Sequence, residues 1–164
     1  MTASIQSTGV NGDRSAASVE SVADILEREL RTLIGEWFIR VEKQPELTRI
    51  PLNYEERTGH LPRLMRDVSV RLRRDDDTKA VTSEAAADHG KLRQEQGYPV
   101  EMLIEESRLL QVSIFTTLHK NVKNLEFDTL LLSVVTIADE VVAQLREQMK
   151  HFKAADVAEK AKGK

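Results

Sequence analysis

The residue types best suited to chemistry cluster in one short stretch of the chain. His89 and Arg93 are four residues apart, so a helix would carry both on one face, and Gln96 follows about one turn later. Gly97 then interrupts the pattern, and an acidic pair follows at 105–106. If the two helices fold back on each other at Gly97, an imidazole, a guanidinium and a carboxylate meet there. The predicted ligand-binding or sensing residues are His89, Arg93, Gln96, Tyr98 and Glu106.

The same residues also have a purely structural interpretation. Polar side chains at a tight turn between helices commonly bond backbone carbonyls and fix the corner. An ion pair between Arg93 and Glu106 would set the register of two helices without any ligand. The sequence alone leaves the sensing and the structural interpretation open.

The sequence lacks the residue patterns that metal binding and enzyme catalysis usually require. The chain has no cysteine, and its four histidines lie in separate segments without His-x-x-x-His or Glu-x-x-His spacing, so no metal site is predicted. It contains neither a Gly-x-Ser-x-Gly elbow nor a glycine-rich phosphate loop, so it is predicted not to be an enzyme. Haem ligated by His89 is an alternative, although aromatic residues make up only 4% of the chain.

The charge distribution gives little electrostatic attraction for nucleic acid. With 24 basic and 27 acidic residues, the formal net charge is −3. Five arginines line the second predicted helix, but three aspartates follow directly and no aromatic side chains alternate with them. A weak DNA-associated helical regulator is an alternative, beside the simpler interpretation of a solvated face paired with acidic neighbours. The arginines are Arg63, Arg66, Arg71, Arg73 and Arg74.

The N-terminal residues do not have the pattern expected of a targeting signal. Residues 1–17 are polar and without periodicity, which predicts disorder. They lack the basic flank and apolar run of a signal peptide, and no window of the chain reaches the roughly 18 apolar residues of a membrane helix. We therefore expect a soluble, cytoplasmic protein.

Helices must position the candidate residues, because apolar residues recur every three or four positions and no segment alternates for long with period two. Pro45, Pro62, Gly97 and Pro99 mark helix ends or starts. Five helices are expected, within a folded domain at 18–152, at about 18–44, 61–74, 78–96, 99–122 and 124–152. The predicted fold class is an all-α helical bundle.

The last predicted helix carries a row of apolar residues spaced four, three, four and seven apart. Such a seam fits an output helix or a dimer contact, although it is too short to identify a coiled coil. These side chains would equally well face the core of a single chain. They are Val134, Ala138, Val141, Leu145 and Phe152. Residues 153–164 beyond them are expected to form a frayed, basic tail.

The stretch that begins at His89 also resembles a known family. It has the pattern His-Gly-x-x-Arg-x-x-Gln-Gly-Tyr, then a leucine, and then Glu-x-x-Leu-Leu at 106–110. This pattern is similar to the N-terminal domain of RsbRD-type proteins, the RsbT co-antagonists of bacterial stress signalling, a module that also precedes histidine kinases. The segment Leu61-Pro62-x-Leu64 resembles the family's preceding helix, whereas Gln111 stands where the family often has arginine.

The resemblance covers roughly 25–145 and implies an all-α sensory or scaffolding domain, related to globin-like modules and without enzyme activity. It also implies a partner protein of a signalling pathway, either a kinase or a STAS-type output. The resulting prediction is a non-catalytic regulatory sensor or interaction domain of a bacterial stress or two-component pathway. It would transmit through its last helix, form a homodimer and need no cofactor. The alternative is a globin-like sensor that binds haem or a small molecule.

Overall fold

The structure, a computed structural model, describes residues 19–74 and 83–162, without the side chains of residues 151, 153–160 and 162. The segment 1–17 and the first part of the third predicted helix, 78–82, lie outside the described residues. The helices are α1 (Val22–Arg28), α2 (Leu30–Glu42), α3 (Pro45–Thr48), α4 (Tyr54–Thr58), α5 (Leu61–Leu72), α6 (Glu84–Glu95), α7 (Val100–Lys120) and α8 (Phe127–Lys162). No strand occurs in this part of the chain, and the all-α prediction is confirmed.

The predicted number of helices, five, was too low. The first predicted helix is divided at Glu29, where the backbone turns to φ −89° and ψ 3°. The segment expected to link the first two helices folds into α3 and α4. Pro45 begins α3, and Asn53 and Glu56 form a reciprocal capping box at the start of α4. The helix α8 also extends beyond residue 152.

The core consists mainly of leucine, isoleucine and valine side chains, with Trp37 completely buried among them. The helix α1 packs on α5, and α2 packs on α7. The last helix, α8, packs against α5, α6 and α7. Burial of these apolar faces is the main driving force for the fold, and it brings the last helix next to the helices that carry the candidate residues.

The predicted corner forms between α6 and α7. Gly97 has a positive φ of 81°, and its amide donates to the Gln94 carbonyl at 2.9 Å. The Tyr98 amide donates to the Arg93 carbonyl, also at 2.9 Å. These two bonds define a Schellman motif, in which glycine is favoured because it has no Cβ atom. The helix α7 begins directly afterwards, with Pro99 as its N-cap.

The helices α6 and α8 are in direct backbone contact at Gly90. A Cβ atom at this position would come within 2.6 Å of the Gln148 Cα atom, closer than real contacts allow. Glycine is therefore required here, because only a residue without a Cβ atom lets α8 approach α6 this closely.

Candidate functional site

Glu106 on α7 is the common partner of the residues at the corner. It is 3% exposed, and its Oε2 accepts a hydrogen bond from Arg93 Nε at 2.9 Å. Its Oε1 accepts a bond from the Tyr98 hydroxyl at 2.8 Å, and His89 Nε2 lies 3.7 Å from Oε2. The structure thus brings together the imidazole, the guanidinium and the carboxylate that were expected to meet at this turn.

Arg93 on α6 is completely buried and donates hydrogen bonds to backbone carbonyl groups of α4. Its Nη1 donates to Gln96 Oε1 at 2.7 Å and to the Glu56 carbonyl at 3.1 Å, and its Nη2 donates to the Arg57 carbonyl at 2.9 Å. The guanidinium also lies 4.8 Å from the centre of the Tyr98 ring, within cation–π range. These bonds compensate for the removal of the charge from water.

Arg57, on α4, is a second buried arginine that the sequence reasoning missed. Its Nη1 donates to the Tyr98 hydroxyl at 3.1 Å and to the Leu47 carbonyl at 3.3 Å. Its Nη2 donates to the Ile50 carbonyl at 3.0 Å. The Tyr98 hydroxyl therefore accepts a bond from Arg57 while it donates one to Glu106. The capping box before Arg57 predicts a helix there, but it carries no information about burial.

His60, which was also missed, stacks on His89. The two ring centres are 3.6 Å apart and the rings are 12° from parallel, while Trp37 meets His60 edge-on at 6.3 Å. The Trp37 indole donates to the Glu106 carbonyl at 3.2 Å. Both histidine Nδ1 atoms are buried without a hydrogen-bond partner among the described residues. We refer to Arg57, His60, His89, Arg93, Tyr98 and Glu106 as the buried polar cluster.

A small cavity lies beside the stacked histidines. Its volume is about 10 Å³, which is the space of about one water molecule. Gln144 and Gln148 of α8 line it together with Glu106 and the two imidazoles. A drug-sized ligand needs roughly 300 Å³ or more, and haem is of this size class. A haem group would therefore not fit beside His89 in this conformation.

Burial and neighbouring charges determine the protonation of the cluster. Burial, followed by the nearby His89 and Arg93, keeps the pKa of His60 well below its ordinary value, and burial also lowers the pKa of His89. Burial alone would raise the pKa of Glu106, but the neighbouring His89 and Arg93 lower it overall. Burial and the Glu106 carboxylate raise the pKa of Tyr98. At neutral pH the cluster therefore holds neutral imidazoles and an ionised carboxylate.

The arginines of α5 and its C-terminal end are largely occupied by acidic side chains. Within the part of the chain that the structure describes, three of the five form ion pairs, and one of these three is buried against α8. Pairing leaves less basic surface for a phosphate backbone. The pairs are Arg63–Asp88 (2.9 Å), Arg73–Asp24 (2.7 Å), Arg73–Glu27, Arg71–Asp139 (3.1 Å) and Arg71–Glu140 (3.3 Å).

The apolar row predicted on the last helix lies mostly against the chain itself. Val141 and Phe152 are buried, and Val134, Ala138 and Leu145 are partly buried. The buried members of this row thus face the core of the single chain. Other large apolar side chains of α8 are exposed, namely Phe127, Leu131, Leu132, Val135 and Val142.

The described residues contain no group of three or more histidine, aspartate or glutamate side chains arranged to hold a metal ion. No helix in residues 19–74 or 83–162 combines the length and the apolar character needed to cross a bilayer.

Comparison with known proteins identifies no related protein. Family models, curated proteins and solved structures give no match to the chain. The resemblance to RsbRD-type domains therefore depends mainly on the residues between His89 and Leu110.

Proposed function

We propose that this chain is a non-catalytic regulatory domain that binds a partner protein and transmits changes in the buried polar cluster through α8. The contact at Gly90 carries the proposal. Gly90 meets the backbone of Gln148 on α8 without space for a side chain, and His89 and Arg93 lie on the same helix beside it. Because a close-packed interior transmits small displacements, a rearrangement of the cluster changes how α8 packs.

The bonding of the cluster suits a switch between discrete states. One guanidinium, that of Arg93, joins carbonyl groups of α4 to a carboxylate of α7. A buried charge is tolerated only while its partners stay in place, so partly bonded arrangements are costly. Such a cluster favours either the fully bonded geometry or a clearly different one, which is the property that a regulatory element needs.

The α8 side of the cavity provides a second link to the last helix. Gln144 and Gln148 line the cavity beside the histidines, and Gln144 Nε2 also donates to the Leu64 carbonyl of α5 at 3.0 Å. A change in the position of His60 or His89 therefore reaches α8 through polar contacts as well as through Gly90.

The class of partner follows from the resemblance of the stretch around His89 to RsbRD-type domains. It is a cytoplasmic protein of a bacterial stress or two-component pathway, either a kinase or a STAS-type output. The proposal needs no cofactor, since its signal is a change in helix packing.

Hydrogen exchange tests the transmission directly. Glu106→Gln removes the charge that Arg93 pairs with while keeping the shape of the side chain, so the amides of α8 around Gln148 should exchange faster. Glu105→Gln is the matched control, because Glu105 is the preceding residue on α7 and pairs with Arg108 at the surface at 2.6 Å. Its effect should stay local.

Two readouts decide the outcome. Far-UV circular dichroism must show that both variants keep their helix content, so that faster exchange reports local loosening and not global unfolding. Equal exchange of α8 in Glu106→Gln and Glu105→Gln would contradict the proposal, because the cluster would then be uncoupled from the last helix.

A further inference from the structure

The first half of α8 exposes a row of large apolar side chains. Phe127, Leu132 and Val135 are 69%, 70% and 68% exposed. Leu131 and Val142 are 52% and 44% exposed. Side chains of this size present on the order of 150 Å² each when free, so the five together leave roughly 450 Å² of apolar surface uncovered. A contiguous patch of this size is characteristic of an interaction surface.

Most of these residues belong to a heptad repeat that continues along the helix. The steps alternate between four and three residues, which is the spacing of a helix–helix seam. The exposed Val135 and Val142 belong to this repeat, whereas the row predicted from the sequence contained the buried Val141 and the partly buried Val134. The members of the repeat are Leu131, Val135, Ala138, Val142, Leu145 and Met149.

The residue types in the repeat favour a pair of parallel helices. Valine occupies the a positions 135 and 142, and leucine occupies the d positions 131 and 145. β-Branched residues at a with leucine at d favour two strands in parallel coiled coils. We propose that α8 pairs in parallel with α8 of a second copy of this chain through this repeat. The proposal deepens the proposed function and rests on it, because α8 is the helix that transmits the signal.

The residues that flank the repeat distinguish parallel from antiparallel pairing. Phe127 occupies a g position and Leu132 occupies the e position five residues later. In a parallel pair, a g residue lies beside the e residue of the following heptad on the other helix, so Phe127 covers Leu132 of the second copy. Antiparallel helices instead bring g to g and e to e, which leaves these two side chains apart.

The exposed apolar side chains of α8 supply a substantial part of the area that a stable dimer buries. A standard interface buries about 800 Å² on each partner. The five exposed side chains supply roughly half of it. The partly buried Ala138, Leu145 and Met149 continue the repeat toward the C-terminus, and Leu145 and Met149 also pack against the core of their own chain. A two-fold axis parallel to the helices uses the same surface on both copies and so closes the assembly at two chains.

Disulfide cross-linking tests the surface and the orientation together, since the chain contains no cysteine of its own. In a parallel pair, each a residue lies beside the same residue of the second copy, at a Cα separation that suits a disulfide. We expect both Val135→Cys and Val142→Cys to give covalent dimers after mild oxidation. Ile104→Cys on α7 is the matched control, because Ile104 is also 44% exposed but lies outside the repeat.

Light scattering tests the assembly without a covalent bond. The wild-type chain should show twice the 18.6 kDa mass of one chain, and Val135→Lys should raise the dissociation constant by about tenfold or more. Val112→Lys, at a position on α7 that is 38% exposed, should leave it unchanged.

Each of several results would overturn the dimer. They are a monomer at every concentration, cross-linking at only one of the two valines, and cross-linking of Ile104→Cys to the same extent. None of these results bears on the faster hydrogen exchange expected for the α8 amides in Glu106→Gln, because that effect arises within one chain. Failure of the dimer is therefore distinguishable from failure of the proposed function.

Discussion

At the residue scale, the carboxylate of Glu106 is almost out of contact with water and depends on the donors around it. Arg93 supplies an opposite charge at 2.9 Å, and Tyr98 supplies a hydroxyl at 2.8 Å. In an interior of low dielectric constant, an unpaired charge is far more costly than an unpaired neutral group. The two donors should therefore differ in how much their removal destabilises the fold.

Removal of Arg93 is expected to be severe. Arg93→Ala leaves Glu106 as an uncompensated buried charge and should lower the free energy of unfolding by about 3–5 kcal/mol. Urea denaturation measures the loss. Arg108→Ala is the control, because Arg108 is exposed and pairs with Glu105 at the surface, where such pairs contribute about 1 kcal/mol or less. Equal losses in the two variants would show that the cluster is hydrated and not buried.

Removal of the Tyr98 hydroxyl should have a smaller but clear effect. Tyr98→Phe deletes the group that accepts from Arg57 and donates to Glu106. Both partners stay buried, so the variant should be less stable by about 1–3 kcal/mol. The chain has one other tyrosine, Tyr54, which is 49% exposed, and Tyr54→Phe should be nearly neutral. A neutral Tyr98→Phe would mean that water replaces the hydroxyl.

At the scale of helices, two glycines in helix interiors have opposite requirements. Gly90→Ala places a methyl group against the backbone of α8 and should destabilise the fold by about 1–3 kcal/mol. Gly35 in α2 has no atom within 4 Å of the site of a Cβ, so Gly35→Ala should stabilise by about 0.5–1 kcal/mol. Thermal unfolding gives both values. A stabilising Gly90→Ala would show that α6 and α8 are not in tight contact.

The corner between α6 and α7 could be predicted because its signals are local. His89 and Arg93 share a face through helical spacing, and Gly97 ends the helix through its own backbone freedom. The partners from before α6 could not be predicted. His60 and Arg57 reach the cluster only because α4 and α5 pack against α6 and α7, and no short-range pattern encodes that packing.

The break at Glu29 and the inward face of α8 escaped prediction for related reasons. Glu29 is neither proline nor glycine, so periodicity carries the first helix through it without a signal. The helix α8 has apolar residues on two faces, one against the core and one exposed, and hydrophobic periodicity cannot say which of them faces inward. Only the packing of α5, α6 and α7 decides that Val141 is buried and Val142 is not.

At the scale of the whole molecule, the stacked histidines make folding depend on pH. Burial holds the pKa values of His60 and His89 below the ordinary value of 6.5, so the folded protein resists their protonation while the unfolded chain accepts it. The unfolded state therefore binds more protons as the pH falls below 6.5, and stability decreases in that direction. Glu106, whose pKa is lowered from 4.5, adds a further loss as the pH falls through and below that value.

Urea midpoints measured between pH 7.5 and 5 check this dependence, with the fluorescence of Trp37, the sole tryptophan, as a probe beside His60. Each histidine that stays neutral in the folded state should cost up to about 1.4 kcal/mol per pH unit below 6.5. His60→Phe retains an aromatic ring for stacking but cannot be protonated. The free energy of unfolding should therefore change less steeply with pH, that is, with a smaller slope, in this range. His119→Gln, at an exposed position on α7, should keep the wild-type slope. If both variants show the same slope, the pH dependence arises elsewhere in the chain, and the stacked pair does not resist protonation as its burial implies.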